Sequence, residues 1–158
     1  MFTTNSFCSG LKDTDTLQIL KKLKVLVVDD NQDSCDLISF LLEPLGVQVV
    51  IATSALKALA NIDQLQPHIL VSDIVMPDVD GYSLIRRIRH SKLASKDITA
   101  VAITALSGEE VLNQTKQAGF DACLVKPFDA DEFIDLLVFL HYRKEVKNRH
   151  AEILLESA

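Results

Sequence analysis

Lys24-Val25-Leu26-Val27-Val28-Asp29-Asp30-Asn31 decides how the rest of this chain is read. A short aliphatic run, apolar on both faces, stops abruptly at two carboxylates. Such a run, with no polar alternation, fits a strand buried on both sides within a parallel sheet. The pattern returns downstream: Ile69-Leu70-Val71-Ser72 stops at Asp73, and Ile98-Thr99-Ala100-Val101-Ala102-Ile103 stops at Thr104. Val47–Ile51 and Ala122–Val125 complete a set of five, the last followed by Lys126-Pro127.

Helical periodicity fills the gaps between these runs. Asp33–Leu45 places Leu37, Ile38, Leu41, Leu42 and Leu45 on one side, and Ser54–Leu65 does the same with Ala55, Leu56, Leu59, Ile62 and Leu65. Gly81–Arg89 offers Leu84, Ile85 and Ile88. Ser107-Gly108-Glu109-Glu110 reads as a capping box opening a helix through Ala118, which Gly119 ends. Asp129–Tyr142 begins with Asp129 as N-cap and buries Phe133, Leu136, Leu137 and Leu140. Strict alternation of strand and helix predicts an α/β domain over 24–142, a parallel sheet with helices on both faces. Residues 1–23 form an N-terminal extension, polar and mostly flexible through Asp15, with Thr16–Leu23 able to form one apolar turn. Residues 143–158 are a tail or a continuation of the last helix, basic at Arg143, Lys144, Lys147 and Arg149 and ending in Ile153-Leu154-Leu155.

Composition narrows the function. With 158 residues, 48% of them hydrophobic and 24% charged, the chain can bury a core without disulfide or metal. Sixteen basic against 22 acidic residues, net −6, argue against a dedicated nucleic-acid binder. No apolar stretch approaches the ~18 residues of a membrane span, and the first ten residues lack the charged and apolar regions of a secretory signal. Cys8, Cys35 and Cys123 are odd in number and lack metal-ligand spacing, which fits free thiols in a reducing cytoplasm.

Open parallel sheets bind ligands outside the carboxyl ends of their strands. Asp29, Asp30, Asp73, Thr104 and Lys126 all stand there. Singly, each has an ordinary structural role: helix cap, turn residue, strand hydroxyl, solvated charge. Together they make a more specific case. Three carboxylates in one crevice repel unless a cation sits among them, and an oxygen-only set sharing its coordination with water and phosphoryl oxygens suits Mg²⁺. A hydroxyl and an ammonium complete what phosphoryl transfer needs, with one carboxylate as nucleophile forming an acyl phosphate.

On these residues the chain closely resembles the receiver domain of two-component response regulators. The resemblance rests on Val25–Val28 with Asp29-Asp30-Asn31, on Asp73-Ile74-Val75-Met76-Pro77-Asp78-Val79-Asp80-Gly81, on Thr104-Ala105 and on Lys126-Pro127-Phe128. It implies a flavodoxin-like (βα)5 fold with strand order 2-1-3-4-5. It implies further that Asp73 accepts a phosphoryl group from a sensor histidine kinase or a histidine phosphotransfer protein, and that signalling proceeds through a downstream protein. Asp30 and Asp73 would bind Mg²⁺ through side chains and Val75 through its carbonyl, with Asp29 helping through water. Thr104 and Lys126 would contact phosphoryl oxygens, and the Lys126–Pro127 bond would be cis. Such a module is no enzyme beyond assisting its own phosphorylation and dephosphorylation, and it needs neither nucleic acid nor membrane.

One departure concerns the aromatic residue usual three positions before the lysine, where this sequence has Cys123. Residues 143–158 are too few for a DNA-binding or enzymatic output domain. The runner-up reading keeps the receiver but places it in a larger hybrid sensor kinase or multi-domain regulator. Two other classes fit less well. A haloacid-dehalogenase-type phosphatase needs an Asp where Val75 stands, and a flavin or nucleotide site needs a Gly- or Ser/Thr-rich loop where Asp29–Asp33 stand.

Overall fold

Val25, Leu26, Val27 and Val28 are all buried and form β1 (Lys24–Val28) at the heart of the sheet. The structure, a computed structural model, describes residues 13–157. Around β1 lie β2 (Gln48–Ala52), β3 (Ile69–Asp73), β4 (Thr99–Thr104) and β5 (Ala122–Val125). All pair in parallel, in the order β2-β1-β3-β4-β5. This is the flavodoxin-like arrangement, with β1 and β3 adjacent and the chain winding outward from them in both directions.

Successive strand side chains point to opposite faces, so the apolar runs feed two cores. Val25, Val27, Ile69, Val71, Val101 and Ile103 meet Cys35, Ile38 and Leu42 of α2 (Gln32–Leu42) and Phe133, Leu136 and Leu137 of α6 (Ala130–Glu156). Leu26, Val28, Leu70, Ala100 and Ala102 meet Ile62 of α3 (Ala55–Leu65), Leu84, Ile85 and Ile88 of α4 (Gly81–His90) and Ala118 of α5 (Glu109–Ala118). Side-chain caps start most helices: Asn31 accepts the Ser34 N–H, Ser54 that of Lys57, Asp80 that of Ser83, and Asp129 those of Asp131 and Glu132.

Several local expectations are corrected. The capping box at Ser107 does not form: Gly108, at φ 110°, is the N-cap of α5 and contributes no side-chain bond. Leu37 and Leu56 face solvent. The inward stripe of α2 runs through Cys35, Ile38 and Leu42, and one residue's rotation of about 100° carries Leu37 off it. The single turn expected over 16–23 is instead α1 (Asp13–Leu20), and Leu20 and Leu23 join the core. Residues 1–12, including Cys8, lie outside the described residues. The basic segment after Tyr142 continues α6 without a break to Glu156. No helix among the described residues is long and apolar enough to cross a membrane.

Candidate functional site

Strand register brings the site together. Val28 pairs with Ser72, Asp73 with Ile103, and Thr104 with Val125, so the polar residue ending each strand reaches the same edge. Asp29, Asp30 and Asp73 each direct one carboxylate oxygen into a cluster whose atoms lie within 4.8 Å of one another.

The three acids differ in environment. Asp29 is buried, and its Oδ1 accepts the Asn31 N–H at 2.8 Å while its Oδ2 faces the Lys126 ammonium at 3.2 Å. Asp30 is exposed. Asp73 is half-buried, with Oδ1 accepting the Ile74 N–H at 2.7 Å and the Val75 N–H at 3.3 Å. Burial pushes the Asp73 carboxyl above its usual range; the Lys126 ammonium pulls it back, the Asp29 charge raises it again, and the two N–H bonds lower it. A cluster of three carboxylates is thus accompanied by one ammonium, paired with Asp29. Such a hard, all-oxygen donor set fits a small divalent cation such as Mg²⁺.

Thr104 is fully buried. Its Oγ1 accepts the Leu106 N–H at 3.1 Å, and its carbonyl accepts the Lys126 N–H at 2.8 Å. The β4–α5 and β5–α6 loops are therefore tied together at this residue. The Lys126–Pro127 bond is cis. Val75, two residues past Asp73 and bonded to it through its N–H, is 60% exposed, and Leu106, whose N–H bonds Thr104, is 41% exposed.

Three further residues shape the site and escaped the sequence reading. The Ser72 hydroxyl donates to the Asp73 carbonyl at 2.8 Å. Gly81 donates its N–H to the Ile74 carbonyl at 2.8 Å, and a Cβ there would stand 2.3 Å from the Asp73 carbonyl oxygen. Ser34 Oγ accepts a second bond from Lys126 Nζ, at 3.4 Å. Gly81 closes the Asp73–Gly81 stretch and Ser72 precedes the acid, but neither has a role in the sequence reading, and Ser34 shows only as a hydroxyl in the first turn of the helix that follows Asp29-Asp30-Asn31. Cys123 is half-buried beside the core that contains Phe120, and burial pushes its thiol up, while a hydrogen bond with Thr115 lowers it. A raised thiol is less reactive than a free one.

Known proteins resemble this chain in sequence and fold. Residues 25–138 match the family described as "Response regulator receiver domain". The chain is 39% identical over 121 residues to the uncharacterized 14.6 kDa protein in the sodA1 3′ region of Leptolyngbya boryana, covering 77% of this chain and 92% of that one. It is 33% identical over 134 residues to the DNA-binding dual master transcriptional regulator RpaA of Synechocystis, covering 83% of this chain and 55% of RpaA. The chain thus spans little more than half of that regulator. Among solved structures, the receiver domain of the Francisella response regulator 1452 superposes with a TM-score of 0.72 at 29% identity, covering 78% of this chain and 99% of that one.

Proposed function

The chain belongs to the response regulator receiver domain family, a family of signalling modules phosphorylated on Asp, and from that premise we propose that Asp73 is its phosphoacceptor. One observation carries the assignment. Among the described residues, Asp73 is the carboxylate held half-buried at a strand end, oriented by two backbone N–H groups, between Asp29, Asp30 and Lys126. The free Oδ2 is the attacking atom. It bonds to the phosphorus of a phosphohistidine, the P–N bond breaks, and the imidazole leaves with its electron pair and takes up a proton.

The remaining groups serve charge and geometry. Asp29, Asp30 and Asp73, with the Val75 carbonyl, would hold Mg²⁺, which neutralises charge on the transferring group when bound. Lys126 would swing from Asp29 to a phosphoryl oxygen. Thr104 Oγ1 accepts the Leu106 N–H and keeps its own proton to donate to another. We take residues 24–142 as the receiver unit. It works in the cytoplasm with a sensor histidine kinase or histidine phosphotransfer protein as donor and another protein as output, without nucleic acid, and catalyses nothing beyond its own phosphorylation and dephosphorylation. Placement within a hybrid kinase or a multi-domain regulator would change the neighbouring domains and leave this chemistry as it is.

The test is labelling with acetyl phosphate and Mg²⁺, the phosphate located by mass spectrometry. Asp73→Asn should abolish labelling with the fold intact, because the amide is nearly isosteric. Labelling that persists in that variant sinks the assignment.

A further inference from the structure

An ammonium group has three donors and no acceptor, so its position is set by the acceptors around it. Lys126 Nζ has two side-chain acceptors among the described residues: Asp29 Oδ2 at 3.2 Å and Ser34 Oγ at 3.4 Å. Asp73 feels its charge but shares no hydrogen bond with it. Ser34 itself is fixed. It lies in the first turn of α2, and its N–H is capped by Asn31 Oδ1 at 3.1 Å. The Asn31 N–H is in turn held by Asp29 Oδ1. The acceptor pair Asp29/Ser34 is thus built on one short segment, and both of the lysine's side-chain hydrogen bonds among the described residues go to it rather than to Asp73.

We propose that Ser34 is a positioning residue that holds Lys126 in a resting place on Asp29, so that phosphoryl binding at Asp73 must first break the Ser34 bond. The inference rests on the assignment of Asp73 as phosphoacceptor. A hydroxyl here stabilises the unphosphorylated state and sets the threshold for acquiring phosphate. Removing it leaves Asp29 as the sole resting side-chain acceptor among the described residues and lowers the cost of moving Lys126 across. A hydrogen bond to a charged donor is worth more than a neutral one; at this long distance its loss corresponds to about a fivefold shift in equilibrium.

The experiment compares wild type, Ser34→Ala, Ser34→Thr and Asp73→Asn as full chains. Two quantities are read: affinity for beryllofluoride with Mg²⁺, and the side-chain nitrogen resonance of Lys126 in protein free of divalent cations. Ser34→Ala should bind beryllofluoride about fivefold more tightly and shift the Lys126 resonance, while Ser34→Thr, which restores the hydroxyl, should return both toward wild type. Unfolding in urea checks that the fold is kept; Ala is a good helix former and the Asn31 cap uses only the Ser34 backbone. Unchanged affinity and resonance in Ser34→Ala would overturn the inference, as would weaker binding that Thr does not rescue. Failure of the Asp73 assignment looks different: beryllofluoride binding would then survive Asp73→Asn whatever stands at 34.

Discussion

Substituting Gly81 by alanine adds one carbon atom, and the structure says where it goes. The new Cβ would lie 2.3 Å from the Asp73 carbonyl oxygen, 2.9 Å from Ile74 Cα and 3.1 Å from the Asp73 carbonyl carbon, where ordinary contact begins at 3.4 Å. All three atoms are backbone, so no rotamer change relieves the overlap. The Asp73 carbonyl is also held by Ser72, and the Ile74 carbonyl by the Gly81 N–H itself. Overpacking of this kind costs about 1–3 kcal/mol, here toward the upper end because the strand end must move. Alanine's better helix propensity returns up to about 1 kcal/mol. The net expectation is a loss of about 2 kcal/mol, or ~4–8 °C in Tm for a domain of this size. Urea and thermal unfolding measure it. Because the displaced atoms carry the N–H groups that align Asp73, the rate of phosphorylation should fall in the same variant. Gly108→Ala is the control: its φ is +110°, yet no atom lies within 4 Å of the added carbon. Its cost is backbone strain alone, about 1–3 kcal/mol for an extended positive-φ conformation, with phosphorylation untouched. If Gly81→Ala were as stable as wild type and equally active, close backbone approach would not be what reserves position 81 for glycine.

The remaining expectations concern lifetime, the far end of the sheet and pH. Val75, whose N–H bonds Asp73, and Leu106, whose N–H bonds Thr104, expose apolar side chains that cannot orient a water. Val75→Asn or Leu106→Glu should therefore speed phosphate loss by about one order of magnitude, the effect of one added hydrogen bond; phosphate release from the purified phosphoprotein checks this, and unchanged rates would place control elsewhere. Arg89 donates to the carbonyls of Gly119, Lys96 and Ile98 and pairs with Asp121. Arg89→Met should leave several of these acceptors unmet and cost about 2 kcal/mol in urea unfolding. His68 Nδ1 accepts the Lys24 N–H at 2.9 Å, its ring meets His141 edge-on, and burial holds both below their usual pKa. A histidine lowered in the native state makes the unfolded chain bind more protons below pH ~6.5, so stability should decline as pH falls through that region. Lys24 and Lys144 add to this effect and Glu145 opposes it. Replacing His68 and His141 with Gln should flatten the decline.

β1, β3 and β4 were legible because they are buried on both faces and so appear as nearly unbroken aliphatic runs ended by a polar residue, whereas the edge strands β2 and β5 are only partly buried. That the candidate site residues cluster was legible for the same reason, since topology alone sends every strand end to one edge. Helix faces were less so. Leu37 and Leu56 fit the apolar stripe by spacing, but which side of a stripe turns inward depends on how the helix sits on the sheet. Ser107 and Glu110 have capping-box spacing, yet the chain reaches α5 through Gly108 in an extended positive-φ conformation, which moves the helix start past the serine. The Lys126–Asp29–Ser34 grouping joins residues more than 90 positions apart. No local pattern encodes it; it exists only once β5 and α2 share an edge.

The unbroken α6 changes what a small motion in the domain can accomplish. Leu136, Leu137 and Leu140 seat the helix against the sheet, and beyond them it runs on to Glu156 as a single rod. Sixteen residues at 1.5 Å each give an arm of about 24 Å, so a tilt of only ~5° at the seat moves the tip by ~2 Å. A displacement too slight to repack the core would thus arrive at Ile153 and Leu154 enlarged to the size of a side-chain contact, with mechanical advantage taking the place of a long conformational relay.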